Sequence, residues 1–184
     1  MASASPRRLA LLAQIGVVPN GVVPADIDET AAPDEPPRRY AARMAASKAR
    51  AVSVPGAFIL AADTVVALGR RILPKAHDPA SVRACMAQLS GRRHHVLTAL
   101  TLLTPEGAAS HRINDSVVAF ARLTEAQLDA YAECGEGIGK AGGYAIQGRA
   151  GAYVRLLLGS YSGVVGLPLF EVGQVLRGRG YLNP

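Results

Sequence analysis

The stretch AFILAADTVVAL, residues 57–68, constrains the fold more than any other part of this chain. It is an apolar run, too short to cross a membrane, and it ends on the turn signal GRR. It therefore reads as a buried strand from Phe58 to Leu68, with Asp63 and Thr64 in its middle. A carboxylate there costs several kcal/mol unless it meets a metal, a cation or the mouth of a cleft, or is bonded to backbone amides in a purely structural role. Asp63 is thus the first candidate for chemistry, and whatever surrounds this strand must satisfy its charge.

Helices and strands interleave along the rest of the chain. In SASPRRLALLAQIG, Ser5 reads as an N-cap and Pro6 as the first helical residue. Leu9, Leu12 and Ile15 form the apolar stripe, and Gly16 is the left-handed stop. Arg7 and Arg8 crowd the positive end of this helix, where acids are normally preferred, so an anion such as phosphate is the expected partner. VVPNGVVPADIDE reads as extended, APDEPP as a turn, and Pro37 to about Ser53 as an alanine-rich helix carrying Lys48 near its end. A second strand surrounds Ile72 and Leu73. A helix from Pro79 to Gly91 is capped by Asp78, and paired strands cover Val96–Thr104 and Val117–Arg122 around a PEG turn. TEAQLDAYAE starts on a capping box of Thr124 and Gln127. GGYAIQGRAGAYVRLLLG reads as a hairpin and GLPLFEVGQVLRG as a final helix. With no repeat and no low-complexity linker, the expectation is a single α/β domain over residues 1–184, in which about 78–135 form a smaller lobe facing the first across a cleft.

Composition narrows the class of ligand. A content of 49% hydrophobic and 18% charged residues is that of a globular chain, and the start lacks the apolar region of a signal peptide. Cytoplasmic residence without a membrane partner is the expectation. Cys85 and Cys134 suggest two inert thiols rather than a zinc site or a disulfide. The net charge of +6 favours an anionic partner, while the 5% of aromatic residues and the lack of tryptophan favour a small phosphorylated ligand over a nucleic acid. Of the 20 basic residues only Lys48, Lys75 and Lys140 are lysines. In so arginine-rich a chain they either mark places where a compact point charge is needed or survive by chance in a biased composition.

Glu29, preceded by Asp28, joins Asp63 and the lysines in the set that phosphoryl chemistry needs: oxygens for a divalent cation, positive charge for a polyphosphate, and a base for water. GKAGGYAIQG has the glycines of a phosphate-cradling loop but matches neither Walker A nor the dinucleotide fingerprint, and Gln147 within it has an amide suited to a base edge. His94 and His95, adjacent on a strand, point to opposite faces and do not suit a shared metal. GSYSG lacks the strand, elbow and helix of a hydrolase nucleophile.

Taken in order, SASPRR, the DE at Asp28 and Glu29, the KA at Lys48, ADTVV, LSGRRHHVLT, KAGGYAIQG and GSYSGVVGLPL closely resemble the Maf family of nucleoside triphosphate pyrophosphatases. The resemblance runs from the first residues to about Leu176. It implies an elongated α/β fold, with a central mixed twisted sheet flanked by helices and two lobes around a nucleotide-binding cleft, and hydrolysis of a nucleoside triphosphate to the monophosphate and pyrophosphate. It implies Asp63 as proton acceptor, Glu29 and Asp63 as ligands of a divalent cation (Mg2+ or Mn2+), and Ser3, Arg8, Lys48 and Lys75 around the triphosphate. Arg7, Thr64 and Gln147 fall at the positions that shape specificity in the branch acting on dTTP and UTP; a sister branch acting on 7-methyl-GTP usually has glutamine where Thr64 stands. Lys140 joins the substrate-binding set, and a homodimer is the implied assembly. The family's association with septum formation also offers a nucleotide-binding inhibitor of division, in which catalysis is incidental. The chain departs from the pattern in four places. Members usually have a few apolar residues, a first strand, ahead of the motif at which this chain almost begins, so a clipped strand or a start further upstream is expected. PKA replaces GKP around Lys75, Gly139 replaces an acidic residue, and Gly163 replaces an asparagine.

Overall fold

Ten consecutive residues, Ile59–Leu68, form β1, the strand read around Asp63, and nearly all of it is buried. The computed structural model describes residues 1–182 of the chain. Ahead of β1 come helices α1, Pro6–Gln14, and α2, Pro37–Ala51. β2, Arg71–Leu73, returns along β1 through a tight turn, and α3, Pro79–Leu89, leads into β3, Arg93–Leu103, and β4, Ala109–Phe120. After α4, Glu125–Glu133, the chain makes a 3-10 turn at Arg149–Tyr153, then β5, Val154–Leu158, α5, Tyr161–Val165, and α6, Leu169–Gly178. Asp78 and Thr124 cap α3 and α4 through reciprocal capping boxes.

The five strands make one sheet in the order β2-β1-β3-β4-β5. The α/β class is as expected, but every strand pair is antiparallel rather than mixed. β1 with β2 and β3 with β4 are joined by short turns, and a short turn can only reverse the chain. The segment read as a hairpin, residues 142–159, is not one: it runs through turns from Gly142 to Gly148 and supplies a single strand, β5, to the edge beside β4. Gly142, at φ +64°, passes so close to β1 that an added Cβ would lie 2.7 Å from the Val66 side chain, and the amide of Ala145 is taken by the Tyr131 hydroxyl. Next to β1, beyond the reach of β2, the amide of Ala2 donates to Leu60 at 2.8 Å.

Alternation along β1 and β3 divides the core. One face carries Val65, Ala67, Leu97 and Ala99 and is covered by Ala41 and Ala45 of α2, whose small side chains allow close approach. The opposite face is covered by two separate clusters. Leu60, Ala62, Leu100 and Leu102 pack under α1 and α6, whereas Val66, Val96, Val118 and Phe120 pack under α3 and α4 with Tyr131 and Tyr144. Thr64 of β1 pairs with Thr98 of β3, and Thr98 with Asn114 of β4. This polar row crosses the sheet between the two apolar clusters.

Leu100 is almost fully buried in the α1 and α6 cluster. Leu100→Ala is expected to cost about 2–5 kcal/mol of unfolding free energy, read from the midpoint of equilibrium urea unfolding.

Candidate active site

β1 places two functional side chains on opposite faces at the same level of the sheet. Asp63 faces α2, where Lys48, one turn before the helix end, donates from Nζ to Asp63 Oδ1 at 2.6 Å. The same ammonium lies 2.6 Å from Glu29 Oε1, and Lys75 Nζ lies 2.5 Å from Glu29 Oε2. Asp63 is 5% exposed and Lys48 8%, so the cation that the sequence demanded for this carboxylate is Lys48. Burial works against the Glu29 charge, but its bonds to Lys48 and Lys75 outweigh that and hold its carboxyl below the ordinary glutamate range. Glu29 stands on an irregular segment fastened to α2: the Tyr40 hydroxyl donates to the Glu29 carbonyl at 2.7 Å, and Arg43 donates to the Thr30 carbonyl and to Glu35.

On the other face, Arg8 organises the start of α1. Its Nε donates to the Gly166 carbonyl at 2.8 Å, Nη1 to Ser3 Oγ at 2.8 Å, and Nη2 to Thr64 Oγ1 at 3.3 Å. Burial pulls the guanidinium below its ordinary value, opposed by the charges of Asp63 and Glu29. Ser5 occupies the N-cap position, as read, but makes no side-chain cap bond. Ser3 Oγ instead accepts from the Ser5 amide at 3.3 Å.

These groups, with Arg7, Lys140 and Gln147, line one cavity of about 310 Å³. All ten residues singled out in the sequence, Ser3, Arg7, Arg8, Glu29, Lys48, Asp63, Thr64, Lys75, Lys140 and Gln147, are on its wall. Five cationic side chains face two carboxylates, an excess of three positive charges in one hollow. Burial, together with Arg7, lowers the Lys140 ammonium from its ordinary value. Pro74 and Ala76 leave Lys75 in place, because the backbone around it bridges to Ala141 and Ile138. Gly139 adopts φ +73°, a conformation that disfavours the acidic side chain usual there.

The donor set bears on a divalent cation. Among the described residues no group of three or more His, Cys, Asp or Glu gathers to form a closed metal cage. Two carboxylates do gather, with Glu29 Oε1 and Asp63 Oδ1 both 2.6 Å from one atom. One or two carboxylates, completed by water and phosphate oxygens, is the way Mg2+ is usually held in phosphoryl sites. The residues fit such an ion.

Sequence reading missed Thr98, a fully buried residue of β3. Its hydroxyl lies 3.0 Å from Thr64 Oγ1 and 2.8 Å from the Gly163 carbonyl. A polar side chain inside VLTALTLLT was the available signal. At Gly163 an added Cβ would lie 2.8 Å from Asn114 Oδ1, so glycine lets α5 rest on the polar row. The two histidines diverge as expected: His94 is buried with Nε2 2.8 Å from the Tyr144 hydroxyl, and burial lowers its pKa to about 4, whereas exposed His95 meets Asp115. Neither cysteine forms a disulfide, and burial raises the Cys85 thiol.

Because the Glu29 carboxyl titrates lower in the folded chain than the ordinary value of 4.5, its bonds stabilise the fold fully above that pH. The contribution is lost as pH falls through the lowered value. Glu29→Gln is therefore expected to be less stable than the parent at pH 7, with the difference closing below about pH 4.5, as read by urea unfolding at stepped pH.

Comparison with known proteins places this chain among relatives. A dTTP/UTP pyrophosphatase from Rhodospirillum rubrum is 58% identical over 183 residues, covering 98% of this chain and 87% of its own. Another, from Caulobacter vibrioides, is 56% identical over 98% of this chain and 95% of its own. A third, from Gluconobacter oxydans, is 55% identical over 100% of this chain and 88% of its own. Residues 1–179, which include every side chain on the cleft wall, match the family described as Maf-like protein, and the chain belongs to the Maf family.

Proposed function

We propose that this protein hydrolyses dTTP and UTP to the corresponding monophosphate and pyrophosphate. The observation that carries the reading is the cavity, where a buried Lys48–Asp63 pair, Glu29 and an excess of positive charge meet in one hollow. Relatives at 55–58% identity named dTTP/UTP pyrophosphatase support the choice of substrate.

Ser3, Arg8, Lys48, Lys75 and Lys140 bind the triphosphate, with the uncapped start of α1 adding its amides. Arg8 spends three donors on Gly166, Ser3 and Thr64, so it faces the anion from a fixed position. Arg7, Thr64 and Gln147 select the nucleoside. A divalent cation, Mg2+ or Mn2+, held by Glu29 and Asp63, would supply further positive charge against the phosphate oxygens. Asp63 accepts the proton of the water that attacks the α-phosphorus. A P–O bond forms there as the bond to the bridging oxygen of pyrophosphate breaks. The ammonium and guanidinium groups neutralise the departing charge, and this fixed electrostatic field supplies most of the acceleration.

In the same reading the chain is one domain, with residues of about 78–135 as the smaller lobe on one side of the cleft. It works as a homodimer, the assembly the family resemblance implies, in the cytoplasm, the compartment expected from a start without the apolar region of a signal peptide. Among the described residues no helix is long and apolar enough to cross a membrane.

A panel of nucleoside triphosphates with Mg2+ or Mn2+, scored by pyrophosphate release, tests the proposal. Release from dTTP and UTP is expected, and Asp63→Asn is expected to lower kcat roughly 10²–10⁴-fold, the usual contribution of a positioned base. If no triphosphate yields pyrophosphate, the reading fails.

A further inference from the structure

We propose that Glu136, in the loop after α4, is a positioning residue for nucleoside selection: its carboxylate fixes the turn that carries Gln147, and through that turn the place from which the Gln147 amide meets the base. The inference rests on the selection by Gln147 proposed above and deepens it.

Gln147 is exposed on the cavity wall, and among the described residues its side chain has no hydrogen-bond partner. A glutamine amide both donates and accepts. Its discrimination between base edges therefore depends on where the backbone beneath it is held.

That backbone is a tight turn. The Gly148 amide donates to the Ala145 carbonyl at 3.0 Å, and the Gly151 amide donates to the Gly148 carbonyl at 2.9 Å. Two acceptors, one from α4 and one from the loop after it, bracket the turn. On one side of Gln147 the Tyr131 hydroxyl oxygen accepts from the Ala145 amide at 3.1 Å, and on the other Glu136 Oε2 accepts from the Arg149 amide at 2.7 Å. The Glu136 bond is the shorter of the two and has an ionised acceptor, which makes it the stronger kind. It takes the first amide of the 3-10 turn at Arg149–Tyr153, whose N-cap residue, Gly148, has no side chain with which to satisfy it.

Gly148 shows how closely the carboxylate is fitted. An added Cβ there would lie 2.7 Å from the Glu136 carboxyl carbon, and the three nearest atoms it would meet all belong to Glu136. With φ at −108°, the Gly148 backbone is not in the left-handed region that favours glycine. Glycine is needed there to make room for the carboxylate. Glu136 Oε1 also lies 3.9 Å from Arg149 Nε, but the Arg149 side chain is 69% exposed, and such a pair contributes little. The described residues on the cavity wall include Gln147 and not Glu136, so Glu136 acts on the base only through the turn.

The test is a double-mutant cycle on selectivity. Values of kcat and KM for dTTP, UTP, dCTP and dGTP are measured with the full-length protein, Glu136→Ala, Gln147→Ala and the two combined, with Glu136→Gln and Gly148→Ala beside them. Gln147→Ala is expected to lower the ratio of kcat/KM for dTTP over dCTP and dGTP about tenfold. Glu136→Ala is expected to lower it in the same way, mainly through KM, and to lower it no further once Gln147 is already alanine. Glu136→Gln keeps an acceptor for the Arg149 amide and is expected to stay near the parent. Gly148→Ala pushes the carboxylate aside without removing it and is expected to act as Glu136→Ala does; it serves if that variant does not fold. A Glu136→Ala effect that persists undiminished in the Gln147→Ala background, or a fall equal for all four substrates, is what a merely structural residue gives, and either overturns the proposal. A Gln147→Ala protein with the selectivity of the parent overturns the selection on which the proposal rests, and the proposal with it. A parent that releases no pyrophosphate overturns the reaction itself, which separates the failures.

Discussion

One ammonium group organises this molecule. Lys48 Nζ stands 2.6 Å from both Asp63 and Glu29, at the point where α2 crosses the centre of β1. An ionised carboxylate in the middle of an apolar strand costs several kcal/mol on its own, and the cost is recovered only if a cation meets it in good geometry. The alanine-rich face of α2 lets the helix approach the sheet closely enough for a lysine side chain to reach. The irregular segment that carries Glu29 is tied to that helix by Tyr40 and Arg43, so the second carboxylate reaches the same cation. Fold and site share this contact.

The opposite face of the sheet solves a related problem. Two apolar clusters cover its ends, and between them Thr64, Thr98 and Asn114 form a row that cannot be covered by hydrocarbon. Its groups are satisfied from three directions instead: Thr98 donates to the Gly163 carbonyl of α5, Arg8 donates to Thr64, and Asn114 donates to Glu171 of α6 and accepts from Ser116. A Cβ at Gly163 would lie 2.8 Å from Asn114 Oδ1, so a side chain there requires the Asn114 amide to shift. Where the row reaches β1 it emerges on the cleft wall at Thr64, next to Arg8. On this face, then, the cleft wall lies between two cores and is floored by polar groups that neither core can absorb.

Much of this was legible in the sequence. The strand around Asp63, the helices capped by Asp78 and Thr124, and the candidacy of Asp63, Glu29 and the three lysines follow from local rules: apolar runs, caps and rare charges in places where they are costly; Ser3 and Thr64 came from the family resemblance. The antiparallel pairing was not legible, nor was the path of residues 142–159, because strand direction and pairing depend on contacts between segments far apart in the chain. Gly142 and Gly143 read equally well as a hairpin entry; only the closeness of Val66 explains why the chain turns there without forming a ladder. Thr98 escaped notice because its hydroxyl bonds to Thr64 on another strand and to a carbonyl 65 residues away.

By itself, then, the sequence determined which groups carry charge and which segments must be buried, since both are properties of residues and their near neighbours. Only the tertiary structure decided which cation answers which carboxylate. It also decided which hydroxyl meets which carbonyl, because a hydrogen bond reaches about 3 Å and the partners are brought within that range by packing, not by spacing along the chain.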